Sequence, residues 1–402
     1  MGSFRPGRAA RRRATAAGEL ASGAGAAAVR DPVRQAGETR SASIESLRAL
    51  AALGVLAGHV VGQGVGYGAA ALQTYPRRVV FGGGFGVFLF FALSGYLLYR
   101  PFAVRDLGGG AAVDLRRYAA NRALRILPLY GVVLVTWMIV SGDARDGADW
   151  LRFATFSESW FGDTVGKVDG VMWSLCCEVE FYALLPLAAL GVARLARRDA
   201  VRAGVVLAAA GAGLLVLRTV TVTQASPSPQ WRYSLPANAV FFVPGMLLAA
   251  AEVAWRRRRD LRLPGVLGSS TAWLVASAAT WLVVFDDYRR EWLTPLACLL
   301  AVGACVLPLR GGRALAALAW RPLALVGVAS YSLYLWHFPI VSRLPQGSSA
   351  SDAARLALVA VPACLALAAV SYAVVERPWL RLRRSWSPST LAGAAPRDEA
   401  PA

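Results

Sequence analysis

Long apolar runs separated by arginine-rich stretches constrain this chain more than any other feature. Runs at 47–66, 79–99, 123–141, 173–193, 203–222, 237–255, 267–285, 293–309, 322–341 and 356–376 each approach the roughly 20 residues that an α-helix needs to cross a bilayer. With 56% hydrophobic and 17% charged residues over 402 positions, the chain is poor in charge for a soluble protein. The expected fold is all-α, a polytopic membrane bundle of about ten transmembrane helices. The net charge of +19 would suit a nucleic-acid binder, but the arginines sit between apolar runs rather than along one amphipathic face. Membrane topology accounts for that pattern, and nucleic acid is not an expected partner.

The loop charges alternate. Arginines crowd Arg5 to Arg40, Arg100 to Arg122, Arg194 to Arg202, Arg256 to Arg262, Arg310 to Arg321 and Arg377 to Arg384. The intervening loops carry Asp143, Asp146, Asp149, Glu158, Asp163 and Asp169, or Asp286, Asp287 and Glu291. By the positive-inside rule both termini are expected in the cytoplasm, with the chain multi-pass in the plasma membrane. Residues 1–42 and 381–402 read as disordered cytoplasmic tails around a transmembrane domain at 43–380. Arg11-Arg12-Arg13 is no twin-arginine signal, since no apolar core follows it. Pro128 is expected one turn into the third span and Pro244 within the sixth, both tolerable where neighbouring groups satisfy the freed carbonyl.

Any chemistry is therefore expected inside the bundle or its loops. The stretch Leu47 to Val60 holds Arg48 and His59, one of only two histidines in the chain. Ionisable residues in apolar segments are costly and are usually kept for function. Eleven residues at about 100° each make three turns plus about 20°, so both side chains share one helix face, roughly 16 Å apart along the axis.

Other polar groups interrupt the apolar pattern. Gly82-Gly83-Gly84-Phe85-Gly86 suits close helix approach and lacks the lysine of a nucleotide loop. Arg116, Arg117, Arg122 and Arg125 form a cationic cluster; Arg122 and Arg125, one turn apart, enter an apolar segment where they would grip phosphates, although topology and lipid headgroups explain the cluster equally well. Glu178 and Glu180 lie about 200° apart around their helix, so Glu178 is taken as the inward one and Glu180 as the partner of an arginine elsewhere. Late in the chain, Tyr334 and Trp336 fit an interfacial aromatic belt, which leaves His337 unexplained. The five cysteines lie in or at the ends of apolar runs without metal-ligand spacing, so no metal site is expected, and Cys176-Cys177 reads as small packing residues.

Six motifs in order then carry a resemblance. They are Arg48 with His59 eleven residues on; Gly-Val-x-Leu-Phe-Phe-x-Leu-Ser-Gly ending at Gly95; Arg122-x-x-Arg125-Ile-x-Pro128-x-Tyr130; Trp173-Ser174-Leu175-x-x-Glu178-x-x-Phe181-Tyr182; Tyr331 to His337; and Glu376-x-Pro378. Together they resemble the acyltransferase-3 family of integral-membrane O-acyltransferases, with Tyr96 where the family usually has Phe. The resemblance implies a ten-helix bundle that uses cytoplasmic acyl-CoA, expected to be acetyl-CoA, as co-substrate. It implies a catalytic role for His59 and an essential one for Arg48. Family members acylate surface polysaccharides or macrolide antibiotics.

On this reading Arg48, Arg122 and Arg125, with Arg116 and Arg117 nearby, hold the donor's phosphates, and the pantetheine arm spans the roughly 16 Å to His59. His59 takes the proton of an acceptor hydroxyl, with an acyl-histidine intermediate as the alternative. Glu178 orients His59 or holds the acceptor, and His337, Trp173 and Tyr334 contribute to the acceptor site. The loop at 142–172, with Trp150, Phe153, Phe156, Trp160 and Phe161, is expected either to contact the acceptor or to lie on the membrane surface. The rival reading is a transporter or flippase for a lipid-linked or antibiotic substrate, against which count the lack of an internal repeat and of broken-helix pairs in matching places.

Overall fold

The computed structural model describes residues 32–67, 73–141, 146–167, 169–222, 228–258 and 263–385. Among them the chain is helical, and the only β-pairing is an isolated bridge between Ser269 and Arg310. The principal helices are α1 (Pro32–Val65), α2 (Gly86–Gly108), α3 (Leu115–Ser141), α4 (Trp173–Leu195), α5 (Ala200–Val222), α6 (Val243–Arg257), α7 (Ser270–Asp286), α8 (Thr294–Val306), α9 (Arg321–Val328), α10 (Ser330–Val341), α11 (Ala350–Ser371) and α12 (Arg377–Ser385). A compact unit begins at Ala42. Most of the expected N-terminal tail lies outside the described residues, and residues 32–42 form the first turns of α1. Residues 381–385 likewise belong to α12, and the rest of the expected C-terminal tail is not described.

Helices occupy all ten expected positions, yet the count of ten spans is not reached by length and composition. Among the described residues, six helices are long and apolar enough to cross a bilayer, or eight if each of two bent pairs is one span. α7 and α8 have 17 and 13 residues, short of a full crossing. One bent pair is Leu235–Phe241 with α6, at 41°; the other is α9 with α10, at 70°. Pro244 explains the first bend. It lies in the first turn of α6 rather than inside a continuous sixth span, because a proline ring lacks the N–H and clashes with the preceding turn. Broken helices are thus present, at the sixth and ninth segments, which are not equivalent places in two halves of five.

The bundle is held where backbones touch. A Cβ on Gly95 would fall 2.1 Å from the Phe242 carbonyl oxygen, and one on Gly245 would fall 2.0 Å from the Ala92 carbonyl oxygen. The Ser-Gly of the second motif therefore lets α2 and α6 lie backbone to backbone, as small residues do in membrane helices. Gly83 and Gly86 make the same kind of approach to Gly54 and Ala51 of α1. Aromatic rings seal the joint: Phe88 stacks on Phe241 at 3.7 Å, and Phe242 lies between Phe91 at 4.6 Å and Phe181 at 4.0 Å. Left-handed Gly109 (φ 74°) ends α2, where a residue without Cβ is favoured. All five cysteines are free and buried, as packing residues would be.

The loop between α3 and α4 folds into a helix at Gly147–Ala154 and a 3-10 turn at Glu158–Trp160. It buries Asp149, which pairs with Lys167 at 3.3 Å, and two further carboxyls. Neither carboxyl oxygen of Glu158 has a hydrogen-bond partner of normal geometry, and burial pushes its pKa up to about 7. Burial likewise pushes Asp169 up to about 8, against the pull of its bond from the Val171 N–H. Both folded values exceed the unfolded ones, about 4.3 and 3.9. Their contribution to stability is thus complete below pH about 4 and is lost as pH rises through 7 to 8.

Two predictions test this packing. Gly95→Leu is expected to destabilise the solubilised protein by about 2–3 kcal/mol through overpacking, whereas Gly131→Ala, with open space at its Cβ position, leaves the melting temperature unchanged or raised. Wild-type melting temperature is expected to fall between pH 6 and pH 9, and Glu158→Gln to flatten that dependence; equal slopes would contradict the buried-carboxyl account.

Candidate active site

α1 carries Arg48 and His59 on one side, as the phase argument required, and each lines a different cavity. The first cavity, of about 500 Å³, is lined by Arg48, Arg122, Arg125, Glu178, Ser94 and Tyr182, among others. The second, of about 850 Å³, is lined by His59, Trp173, Tyr233, Phe88, Arg218 and Trp292, among others. Val87 and Tyr334 line both, so the two cavities abut at these side chains. The Tyr334 hydroxyl is held there by Ser174 at 2.8 Å and the Val171 carbonyl at 3.4 Å.

The arginines expected to act together have separate roles. Arg125 donates to Glu376 at 3.0 Å and lies over the Tyr331 ring at 5.5 Å. Glu376, on the π-helical turn Tyr372–Glu376 between α11 and α12, also accepts from Ser332. Arg125 is thereby the strut that joins α3, α10 and the end of α11. Arg122 lies over the Tyr182 ring at 5.9 Å, and its buried Nε has no hydrogen-bond partner. Among the described residues, Arg48 has one ion-pair partner, Glu45, at 3.8 Å. Donors for an anion therefore remain on Arg122 and Arg48. Arg116 and Arg117 do not line this cavity; their backbone N–H groups take the Asp114 cap that starts α3.

The two glutamates also depart from expectation. Glu178 accepts a 2.6 Å bond from Ser94 within the arginine cavity and does not touch His59. Its position on the helix turn that lines the Arg48 cavity makes it a neighbour of the arginines instead. Glu180 pairs with no arginine and accepts from the Trp160 indole N–H, because its opposite helix face turns toward the loop.

His59 is placed by the second half of α10. Its Nδ1 lies 3.0 Å from the Val55 carbonyl oxygen, one turn back on α1, and 3.1 Å from Nε2 of His337. The Phe338 ring meets the imidazole edge-on at 4.9 Å. The sequence assigns His337 to the acceptor site, but the residue is fully buried and lines neither cavity. Trp173 and Tyr334 do reach the His59 cavity. Of the long loop, the aromatic residues Trp150, Phe153, Phe156, Trp160 and Phe161 stay outside the cavity lining, and only Gly170 and Val171 enter it.

Sequence reasoning missed Arg218. It donates to Glu291 at 2.7 Å, to the Ala237 carbonyl at 3.0 Å and to Asn238 at 2.9 Å, and it lies over the Phe241 ring at 4.7 Å. These bonds anchor α5 to the wall of the His59 cavity. The available signal was an arginine within an apolar span. Ser94 and Ser174 carried no comparable signal, since hydroxyls are common in membrane helices.

Comparisons with known proteins identify the family. The profile of the acyltransferase-3 family, described as an acyltransferase domain, matches residues 41–376. MdmB, an acyltransferase of Streptomyces mycarofaciens, is 25% identical over 389 residues, covering 90% of this chain and 97% of that protein. YrhL of Bacillus subtilis is 25% identical over 328 residues, 74% of this chain and 50% of that protein. OatA of Listeria monocytogenes, a peptidoglycan O-acetyltransferase, is 25% identical over 368 residues, 84% of this chain and 55% of that protein. The chain thus spans about half the length of YrhL and OatA. No solved structure matches. With a family profile covering most of its length and the six motifs gathered around two adjoining cavities, this multi-pass chain belongs to the acyltransferase-3 family.

Proposed function

We propose that this protein transfers an acyl group, acetyl or another short chain, from acyl-CoA to a hydroxyl of a carbohydrate or of a glycosylated or macrolide natural product. The observation that carries the reading is the pair of cavities abutting at Tyr334 and Val87, one with the unsatisfied arginines and the other with His59. The donor's phosphates meet Arg122 and Arg48, where charge-assisted hydrogen bonds are strongest away from water. The distribution of arginines between spans supports a cytoplasmic position for that cavity and for both termini. The acceptor occupies the larger cavity, whose aromatic walls suit the apolar face of a sugar ring or a macrocycle. Two of these relatives, YrhL and OatA, are named for peptidoglycan O-acetyl transfer, and MdmB for acyl transfer.

His59 Nε2 removes the acceptor's hydroxyl proton while the oxygen attacks the thioester carbonyl carbon. As the tetrahedral intermediate collapses, the carbon–sulfur bond breaks and the CoA sulfur takes the proton from His59. The direct route needs one base and leaves no covalent enzyme species.

The test is transfer of label from acetyl-CoA, in membranes holding the full chain, to a panel of methyl glycosides and macrolides. His59→Ala is expected to abolish transfer at equal expression, and full activity would sink the assignment. Arg122→Ala is expected to raise the donor KM about tenfold, the loss of roughly 1.4 kcal/mol, without loss of stability. Arg125→Ala instead leaves buried Glu376 unpaired and is expected to cost about 3 kcal/mol of stability; an unchanged donor KM in Arg122→Ala would return that residue to topology alone. The two bent helix pairs are the observation that favours a transporter, a fold in which broken helices hold substrate. Substrate movement across vesicles without loss of thioester would establish it.

A further inference from the structure

Two histidines are all the chain has, and α1 and α10 bring them into one hydrogen-bonded pair. The proton positions follow from their other partners. A carbonyl oxygen only accepts, so a ring nitrogen bonded to one must carry the hydrogen. His337 Nδ1 lies 2.6 Å from the Tyr334 carbonyl oxygen and 3.2 Å from that of Leu333. Its proton is on Nδ1, and Nε2 presents a lone pair. His59 Nδ1 faces the Val55 carbonyl at 3.0 Å and that lone pair at 3.1 Å, so it too carries its proton on Nδ1. The nitrogen left over, His59 Nε2, is then unprotonated on a ring that lines the larger cavity.

We propose that His337 is the positioning residue for His59: its Nε2 lone pair receives the His59 Nδ1 proton, fixes the ring and stabilises the imidazolium formed when Nε2 takes the acceptor's proton. The inference rests on the reading of His59 as the base. It assigns to a neutral imidazole the part that a carboxylate plays beside many catalytic histidines. The physical reason is burial. His337 is wholly enclosed among α1, α10 and their neighbours, and a carboxylate there would be an unpaired charge in an apolar interior. A neutral ring whose lone pair is aimed by two backbone carbonyls supplies the acceptor without that cost. Transfer balances as before: the proton moves from the acceptor oxygen to His59 Nε2 and then to the CoA sulfur, while the Nδ1 proton remains between the two rings.

The test compares His337→Phe, which keeps the ring shape and removes the acceptor, with His337→Gln, whose Oε1 restores one. For transfer from acetyl-CoA to the parent enzyme's best acceptor, His337→Phe is expected to lower kcat about 100-fold with both KM values within about twofold. The acid limb of its kcat/KM profile is expected to move to lower pH, because the imidazolium has lost its partner. His337→Gln is expected to recover at least tenfold of kcat. A raised acceptor KM with kcat intact would overturn the proposal and return His337 to acceptor binding. Equal loss in both variants with a lowered melting temperature would also overturn it, as a packing role. Full activity in His337→Phe while His59→Ala is inactive would overturn this inference and leave the base in place; full activity in both would defeat the base itself. An independent check needs no variant: diethyl pyrocarbonate on the wild-type full chain in membranes is expected to modify His59 and to spare His337. Modification of His337 at a comparable rate would show that its nitrogens are not engaged as described.

Discussion

An unmatched charge is unstable inside an apolar bundle, and the arrangement of this protein follows from how its charges are matched. Arg125 is tied to Glu376, Arg218 to Glu291, and Arg100 to Glu252 at 2.7 Å. The last carboxylate also takes the Tyr96 hydroxyl at 2.8 Å. Each pair joins helices distant in sequence: α3 to the end of α11, α5 to the segment before α8, and α2 to α6. Removing one member would strand the other without water. With these pairs formed, some polar groups inside the bundle still keep free valence. Arg122, Arg48 and His59 are among them, and all three face cavities.

The joint between α2 and α6 decides where those cavities lie. Gly95 and Gly245 bring two backbones together, and the stacked rings of Phe88, Phe91, Phe181, Phe241 and Phe242 close the space around them. The bend before α10 matters as much. It turns Ser330 and Tyr331 toward the arginine cavity while carrying His337 to His59. Tyr334, one turn before His337, then stands at the boundary between the two cavities. A straight helix from Arg321 to Val341 would not present these residues on the same terms.

Much of this was legible in the order of residues. Apolar runs near bilayer length announced an all-α membrane bundle because a lipid environment leaves a backbone few other ways to satisfy its hydrogen bonds. Helical phase put Arg48 and His59 on one wall because their spacing is close to three full turns. The site was less legible where partners come from elsewhere. Sequence periodicity says which way Glu178 faces on its own helix; it does not say that Ser94 lies opposite. It grouped Arg122 with Arg125, one turn apart, although the distant Glu376 claims only the second.

The sequence by itself determined the class of protein, the helices that carry the polar groups, and the residues that make membership of the acyltransferase-3 family recognisable. These depend on local period and composition, which each segment holds alone. Only the tertiary structure decided that His337 meets His59 and lines neither cavity, that Glu178 lies with the arginines, and that two cavities meet at Tyr334. Those facts depend on which helices pack together and where α10 departs from α9. Such packing is settled by glycine contacts between distant helices and by ion pairs such as Arg125 with Glu376, 251 positions apart.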